Sequence, residues 1–157
     1  MSCDNDLKNA VSSGIRHIGI GVYSSGKVRE WLIRKGFDPD VASAAVKEIR
    51  ERGYIDDKRA GRKIISSRTG KKQESRRMLF QRLVGGGVDP NTADDLLSET
   101  EDDETTCLML VRSLMPEVPE DADYGELCDS LMKTVTRRGY GPDIALSAIR
   151  KHLYDTI

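Results

Sequence analysis

The chain has 157 residues, of which 38% are hydrophobic, 32% charged and 5% aromatic, and its net charge is −1. This length suffices for one real core or a short row of smaller units, and the shortage of aromatic residues argues against a deep catalytic cleft. No run approaches the roughly 18 apolar residues of a membrane span, and the acidic start Met1-Ser2-Cys3-Asp4-Asn5-Asp6 lacks the basic-then-apolar order of a signal peptide, so a cytoplasmic protein is expected.

In chain order, residues 5–23 predict a first helix, interrupted by Gly14, Gly19 and Gly21. Ser24 or Ser25 then caps a helix carrying Val28, Trp31 and Leu32, which stops at Gly36. Asp38 and Pro39 open the next helix, with Val41, Ala45 and Val46 on its apolar side. Gly53-Tyr54-Ile55-Asp56-Asp57 ends that helix, and Asp56 caps another running to about Arg68, with Gly70 as its stop. A helix through Leu79 and Leu83 ends in Gly85-Gly86-Gly87, read as one helix end with slack; Asp89 and Pro90 start its successor, carrying Leu96 and Leu97. Residues 102–114 form a helix with acids at the positive end of its macrodipole. The loop 115–121 precedes a last pair, joined at Gly139 and restarted at Pro142, with Leu131 and Val135 before the joint and Ile144, Ala148 and Ile149 after it.

This succession repeats. Gly36-Phe37-Asp38-Pro39, Gly87-Val88-Asp89-Pro90 and Gly139-Tyr140-Gly141-Pro142 are spaced by 51 and then 52 residues. Each is preceded by an apolar pair four residues apart, Val28/Leu32, Leu79/Leu83 and Leu131/Val135, which lie on one helix face. A helix, a glycine stop, a cap and a second helix, three times at near-constant spacing, predict an all-α chain of three tandem three-helix repeats, residues 1–55, 56–101 and 102–157. Nine helices result.

Charge is segregated along the chain. Residues 26–88 carry 17 Lys/Arg against 8 Asp/Glu, while residues 89–129 carry 1 against 14. The densest basic stretch, 58–82, has ten basic residues and one acid, Glu74. Arg59, Arg62 and Lys63 fall on one helix face, and Lys72/Arg76 and Gln73/Arg77 predict a second such face on the next helix. With Lys71, these residues are candidate charge partners for phosphates or for a carboxylate-lined groove; the plain alternative is a solvated face. The acidic segment counts against tight, independent duplex binding.

Catalytic and metal chemistry find little support. The three cysteines, Cys3, Cys107 and Cys128, are far apart, and His17 and His152 stand alone, so reduced structural thiols and no metal or other cofactor are expected. Gly21-Val22-Tyr23-Ser24-Ser25-Gly26-Lys27 matches seven places of a phosphate-binding loop, and Ile18-Gly19-Ile20-Gly21-Val22 could pass for its strand. Val28, in the eighth place, has no hydroxyl for a metal ion. Asp56 and Asp57 are adjacent and read as helix caps rather than an acid–base pair. Cys107, beside Leu108 on an apolar face, reads as buried, and His152 as packed or half-exposed. Trp31 reads as a core anchor, with an interface contact as the alternative.

Arg34-Lys35-Gly36-Phe37, then Arg52-Gly53-Tyr54-Ile55-Asp56-Asp57-Lys58-Arg59, then Ser67-Arg68 and Gly87-Val88-Asp89 resemble the RecX family of RecA regulators over roughly 25–157, Gly-Tyr-Ile-Asp-Asp being the most specific segment. In its terms Gly36, Gly53, Tyr54, Asp56, Asp57, Gly87 and Gly139 are structural signature positions. The family pattern differs at Ala60 and Gly61, where it usually has Phe-Ala, at Gln73–Arg76, where a Gly-Pro is common, and at Gly86, where it has Lys; lost packing volume and one lost charge are the expected consequences. The resemblance implies that the repeats form an elongated curved rod, and that the protein is non-enzymatic, lies in the groove of the RecA–DNA filament and limits its ATP hydrolysis, growth and strand exchange. Single-stranded DNA within that filament is a further implied contact, with weak direct DNA binding and no membrane contact. A helix-turn-helix regulator of duplex DNA acting without RecA and a plain helical adaptor are the competing classes.

Overall fold

A computed structural model describes residues 3–155, the Cys3 side chain excepted. The expectation for the first residues, so far as it concerns Met1 and Ser2, and the expected state of the Cys3 thiol thus lie outside the described residues. Among these there are nine α-helices, one 3₁₀ turn and no strand. The helices are α1 (Cys3–Ile18), α2 (Ser25–Arg34), α3 (Pro39–Glu51), α4 (Asp57–Ser66), α5 (Arg76–Gly85), α6 (Pro90–Ser98), α7 (Asp103–Leu114), α8 (Tyr124–Arg137) and α9 (Pro142–Tyr154), and the 3₁₀ turn is Gly70–Lys72. The chain is all-helical, as its composition and glycine stops predicted.

Two compact units divide the chain. One holds the described residues up to Lys63 together with Arg82–Leu96; the other holds Ile64–Gln81 and everything described from Leu97 onward. In the first, α1 packs on α3 and α2, and Ala10, Val11, Ile18, Val28, Leu32, Ala45 and Ile49 are buried together. In the second, α7 and α8 pack on α9, burying Cys107, Leu110, Leu131, Val135, Ala148 and Ile149. The apolar pairs read from the sequence are all buried, so their i, i+4 spacing does mark the inward face of each helix.

The stops also form as their chemistry requires. After α2 the Phe37 N–H donates back to the Leu32 carbonyl at 3.2 Å, and after α5 the Val88 N–H donates to Leu83 at 3.0 Å. These are Schellman closures, in which the residue after the glycine folds over the helix end. Val88 and Tyr140 are buried there. Residues 5–23 do not form one helix: α1 begins at Cys3 and ends at Ile18, where Gly19 (φ +52°) turns the chain. No strand occupies 18–22.

One set of contacts occurs once in each unit. In the first, the Ser24 hydroxyl donates to the Gly86 carbonyl at 2.7 Å and the Gly26 N–H donates to the Gly87 carbonyl at 2.8 Å. The Ser25 N–H and hydroxyl both donate to the Asp57 carboxylate, at 2.7 and 2.5 Å. In the second, the Ser75 N–H donates to the Arg138 carbonyl at 3.0 Å, and the Arg76 N–H donates to Asp103 at 2.9 Å. Serine cap, following residue, aspartate at a helix start and turn glycine therefore recur together. Ser24 and Ser75 stand 51 residues apart, and Gly87 and Gly139 stand 52 apart. Of the run Gly85-Gly86-Gly87, Gly85 has open space beside it, but Gly87 is in tight contact: a Cβ there would strike the Ser24 hydroxyl oxygen and lie 2.8 Å from the Lys27 nitrogen.

Candidate functional site

The basic stretch divides between a helix and a turn. On α4, Arg59, Arg62 and Lys63 are exposed and the Arg59 N–H donates to Asp56 at 3.1 Å, so Asp56 caps this helix as predicted. Arg62 and Lys63 also take part in contacts within the chain. Ile64 and Ile65 are half-buried, and α4 ends at Ser66 rather than near Arg68.

The second basic face does not form as a helical stripe. Lys71 and Lys72 are exposed in the 3₁₀ turn, Gln73–Ser75 are non-helical and buried, and α5 starts at Arg76. The reason lies in Ser75. Its hydroxyl accepts from the Met78 N–H at 3.2 Å, which makes it the cap of α5, and its own N–H is committed to Arg138. Glu74 is buried and paired with Arg68 at 3.4 Å. Lys72 and Gln73 are thus on no helix with Arg76 and Arg77. Arg76 is half-buried, with its guanidinium bonded to the carbonyl and hydroxyl of Thr100, while Arg77 is exposed.

Two basic residues that sequence reasoning passed over join the turn. The Arg138 guanidinium, at the end of α8, donates to the Lys71 carbonyl at 2.6 Å across 67 residues of chain, and Arg137 precedes it. No local spacing announces a contact of that separation.

Asp57 is a further correction. It is not a helix cap: its carboxylate is almost wholly buried and accepts from Ser25 while lying 3.7 Å from Arg50. Arg50 in turn donates to Thr92 at 3.2 Å. The first amides of α2 are thereby filled by protein acceptors, Ser25 by Asp57, Gly26 by Gly87 and Lys27 by Ser24 at 3.4 Å. A phosphate-binding loop needs those amides pointing into open space, so residues 21–27 do not have that geometry.

The remaining candidates are engaged within the chain. Asp102 caps α7, and bonds from the Thr105 hydroxyl and backbone hold its carboxyl below the ordinary range. His152 is buried, with a ring nitrogen 2.5 Å from the Met115 carbonyl. Tyr140 and Thr106 share a buried hydrogen bond of 2.8 Å, and burial raises the tyrosine's pKa. Trp31 is half-buried and stacked on His17, ring centroids 4.0 Å apart. At Gly61, where lost packing volume was expected, Leu96, Leu83 and Val88 crowd the backbone so closely that a Cβ would lie 2.3 Å from Leu96. Among the described residues no group of three or more His, Cys, Asp or Glu stands where it could hold a metal. No described helix is long and apolar enough to cross a membrane.

Cys107 is fully buried, and burial, helped by Asp103, pushes its thiol up to about 12. Since the thiolate is the reactive species, iodoacetamide at pH 8 is expected to modify half-buried Cys128 in the folded protein and Cys107 only after denaturant is added. Peptide mapping that finds both modified at equal rates in the native state would remove this burial argument.

No protein-family model matches the chain. Curated relatives do. The regulatory protein RecX of Treponema pallidum is 27% identical over 126 residues, covering 78% of this chain and 64% of that protein. The regulatory protein RecX of Clostridium botulinum (strain Eklund 17B) is 26% identical over 151 residues, covering 91% of this chain and 70% of its own length. The chain thus spans just under two thirds of the Treponema protein. The crystal structure of RecX from Lactobacillus salivarius superposes with a TM-score of 0.73, covering 98% of this chain and 99% of that one at 17% identity. That last likeness establishes the fold.

Proposed function

We propose that the chain, which is similar to proteins named regulatory protein RecX, is a regulator of that family rather than an enzyme, acting on RecA–DNA filaments. The protein binds in the filament groove and depresses ATP hydrolysis, filament growth and strand exchange. The observation that carries this reading is the sequence likeness to proteins named regulatory protein RecX. It is supported by the density of cations in 58–82 and by side chains that are engaged structurally where chemistry was considered, namely Asp57, Cys107 and His152. We take the three repeats as 1–55, 56–101 and 102–157, and Arg59, Arg62, Lys63, Lys71, Lys72 and Arg77 as charge partners. Arg76 is the weakest of the original group, because Thr100 already engages its guanidinium.

The test is RecA's DNA-dependent ATPase and filament length with the purified chain added. Wild type is expected to inhibit. Charge reversal at Arg59, Arg62, Lys63 and Arg77 should raise the half-inhibitory concentration at least about tenfold, since opposed charges are lost across an interface, while circular dichroism stays unchanged. Wild type without effect on RecA rejects the function. Full inhibition by a folded charge-reversed variant rejects only this surface.

A further inference from the structure

The first unit carries a groove of about 380 Å³ beside the joint where the start of α2 meets the turn after α5. Val46, Val84, Val88 and Pro90 line it, together with Arg29 and Ser43. Val46 and Val88 are buried, whereas Val84 is 38% exposed. One exposed valine is ordinary on a protein surface. This one stands with three other apolar residues along the same groove, and the repeat does not require it. The 52-residue step from Gly87 to Gly139 carries Val84 onto Thr136, which is polar and exposed. The cations here are also uncommitted. The Arg29 Nε–H donates to the Ser43 hydroxyl at 2.7 Å, a neutral acceptor. Lys47 follows Val46 and stands one turn after Ser43 on the exposed side of α3. Among the described residues neither cation is paired with a carboxylate. Acids in these elements are engaged instead. Glu30 pairs with Lys27 and Glu48 with Arg52. Asp89, which also lines the groove, accepts from the Thr92 N–H at 3.3 Å and hydroxyl at 3.5 Å as the cap of α6.

We propose that this groove docks a protein segment in which a branched aliphatic side chain is flanked by carboxylates. The valines and Pro90 supply the apolar surface that such a side chain buries. Arg29, its Nε fixed by Ser43, keeps the other guanidinium donors for a carboxylate and loses little freedom in meeting one. Lys47 adds a second, less directional positive charge at the rim. An apolar centre with a charged rim is the anatomy of a protein contact. Nucleic acid fits poorly, because no aromatic ring lines the groove for a base to stack on. A small apolar molecule would leave the charges of Arg29 and Lys47 without a use. The inference goes beyond the filament reading: it concerns α2, α3 and the turn between α5 and α6 rather than the basic stretch 58–82, and its test runs without RecA.

The probe is a fluorescein-labelled peptide of about ten residues, leucines set among glutamates, titrated with the full chain and followed by anisotropy. Saturable binding is expected. R29E should weaken it about tenfold or more, and V84S about fivefold. A peptide with serines in place of the leucines should bind wild type more weakly and no longer distinguish it from V84S, since the two changes remove one contact. R150E, which makes the same charge change at an exposed position of α9 in the other unit, should match wild type. Should R29E unfold through loss of its bond to Ser43, V84S decides, because Val84 is exposed. Wild type that binds no peptide overturns the assignment. So do folded R29E and V84S that bind as tightly as wild type, or an equal loss in R150E. A serine peptide that binds wild type as well as the leucine peptide reduces the effect to charge attraction and overturns it too. Sedimentation equilibrium that finds the wild-type chain self-associated and V84S monomeric assigns the groove to a second copy, which also removes the proposed occupant. Peptide binding with no effect on RecA rejects the filament reading and leaves the groove standing; inhibition of RecA without peptide binding rejects the groove alone.

Discussion

Gly87→Ala is expected to destabilise the chain by about 3 kcal/mol or more, whereas Gly36→Ala should cost only about 1–2. Both glycines hold a positive φ, +88° and +102°, so both replacements carry the left-handed strain of an L-residue. They differ in their neighbours. A Cβ on Gly36 meets nothing within 4 Å, while one on Gly87 would strike the Ser24 hydroxyl and the Lys27 backbone nitrogen. That nitrogen belongs to the first turn of α2 and cannot rotate aside. Gly139→Ala should fall between the two, because its Cβ would crowd the Met78 and Ser75 side chains, which can yield where the Lys27 nitrogen cannot. Urea unfolding of the three variants separates strain from packing. For a chain of this size the difference should appear as a melting-point gap of several degrees, at about 2–4 °C per kcal/mol. Equal losses at Gly36 and Gly87 would mean that strain alone matters and that the recurring contact carries no weight.

The same recurrence explains how much of the molecule was legible in its sequence. The glycine stops, the helix caps at Ser24, Asp38, Asp56 and Asp102 and the buried apolar pairs depend on neighbours within about five residues, where periodicity and capping chemistry speak directly. Ser75 was legible in principle, since the spacing that separates Gly36 from Gly87 also carries the cap Ser24 onto it. Reading Lys72–Arg77 as one helical face ignored that offset. By contrast, the roles of Asp57 and Arg138 are set by partners 32 and 67 residues away. Adjacent aspartates after a glycine stop look like alternative caps, and only the fold separates Asp56, which caps, from Asp57, which is buried under Ser25. The basic stretch was legible as composition, but whether a cation is spent inside the molecule, as with Arg68 and Arg76, depends on acceptors that the local pattern does not reveal.

Asp57 and Asp103 hold equivalent places in the two copies of this contact, yet their removal should differ in cost. Asp57→Ala leaves the Ser25 N–H and hydroxyl without their acceptor in a part-buried position. Stranding such donors costs about 1–3 kcal/mol each, less where water can reach them, so a loss of about 3 kcal/mol is expected. Arg50 adds little, since its side chain is 42% exposed and screened by solvent. Asp103 is half-buried and accepts a single N–H from Arg76, so Asp103→Ala should cost about 1 kcal/mol, the usual value of a lost helix-start acceptor. Asp57→Asn should fall between, because its amide keeps one acceptor oxygen but turns an N–H group toward a donor. A double-mutant cycle of Ser25→Ala with Asp57→Ala should return a coupling of about 1 kcal/mol or more, as residues in one hydrogen-bond network do. If instead Asp57→Ala is no more damaging than Asp103→Ala, or the cycle is additive, the carboxylate does not clamp the start of α2, and its burial must be explained by some other need.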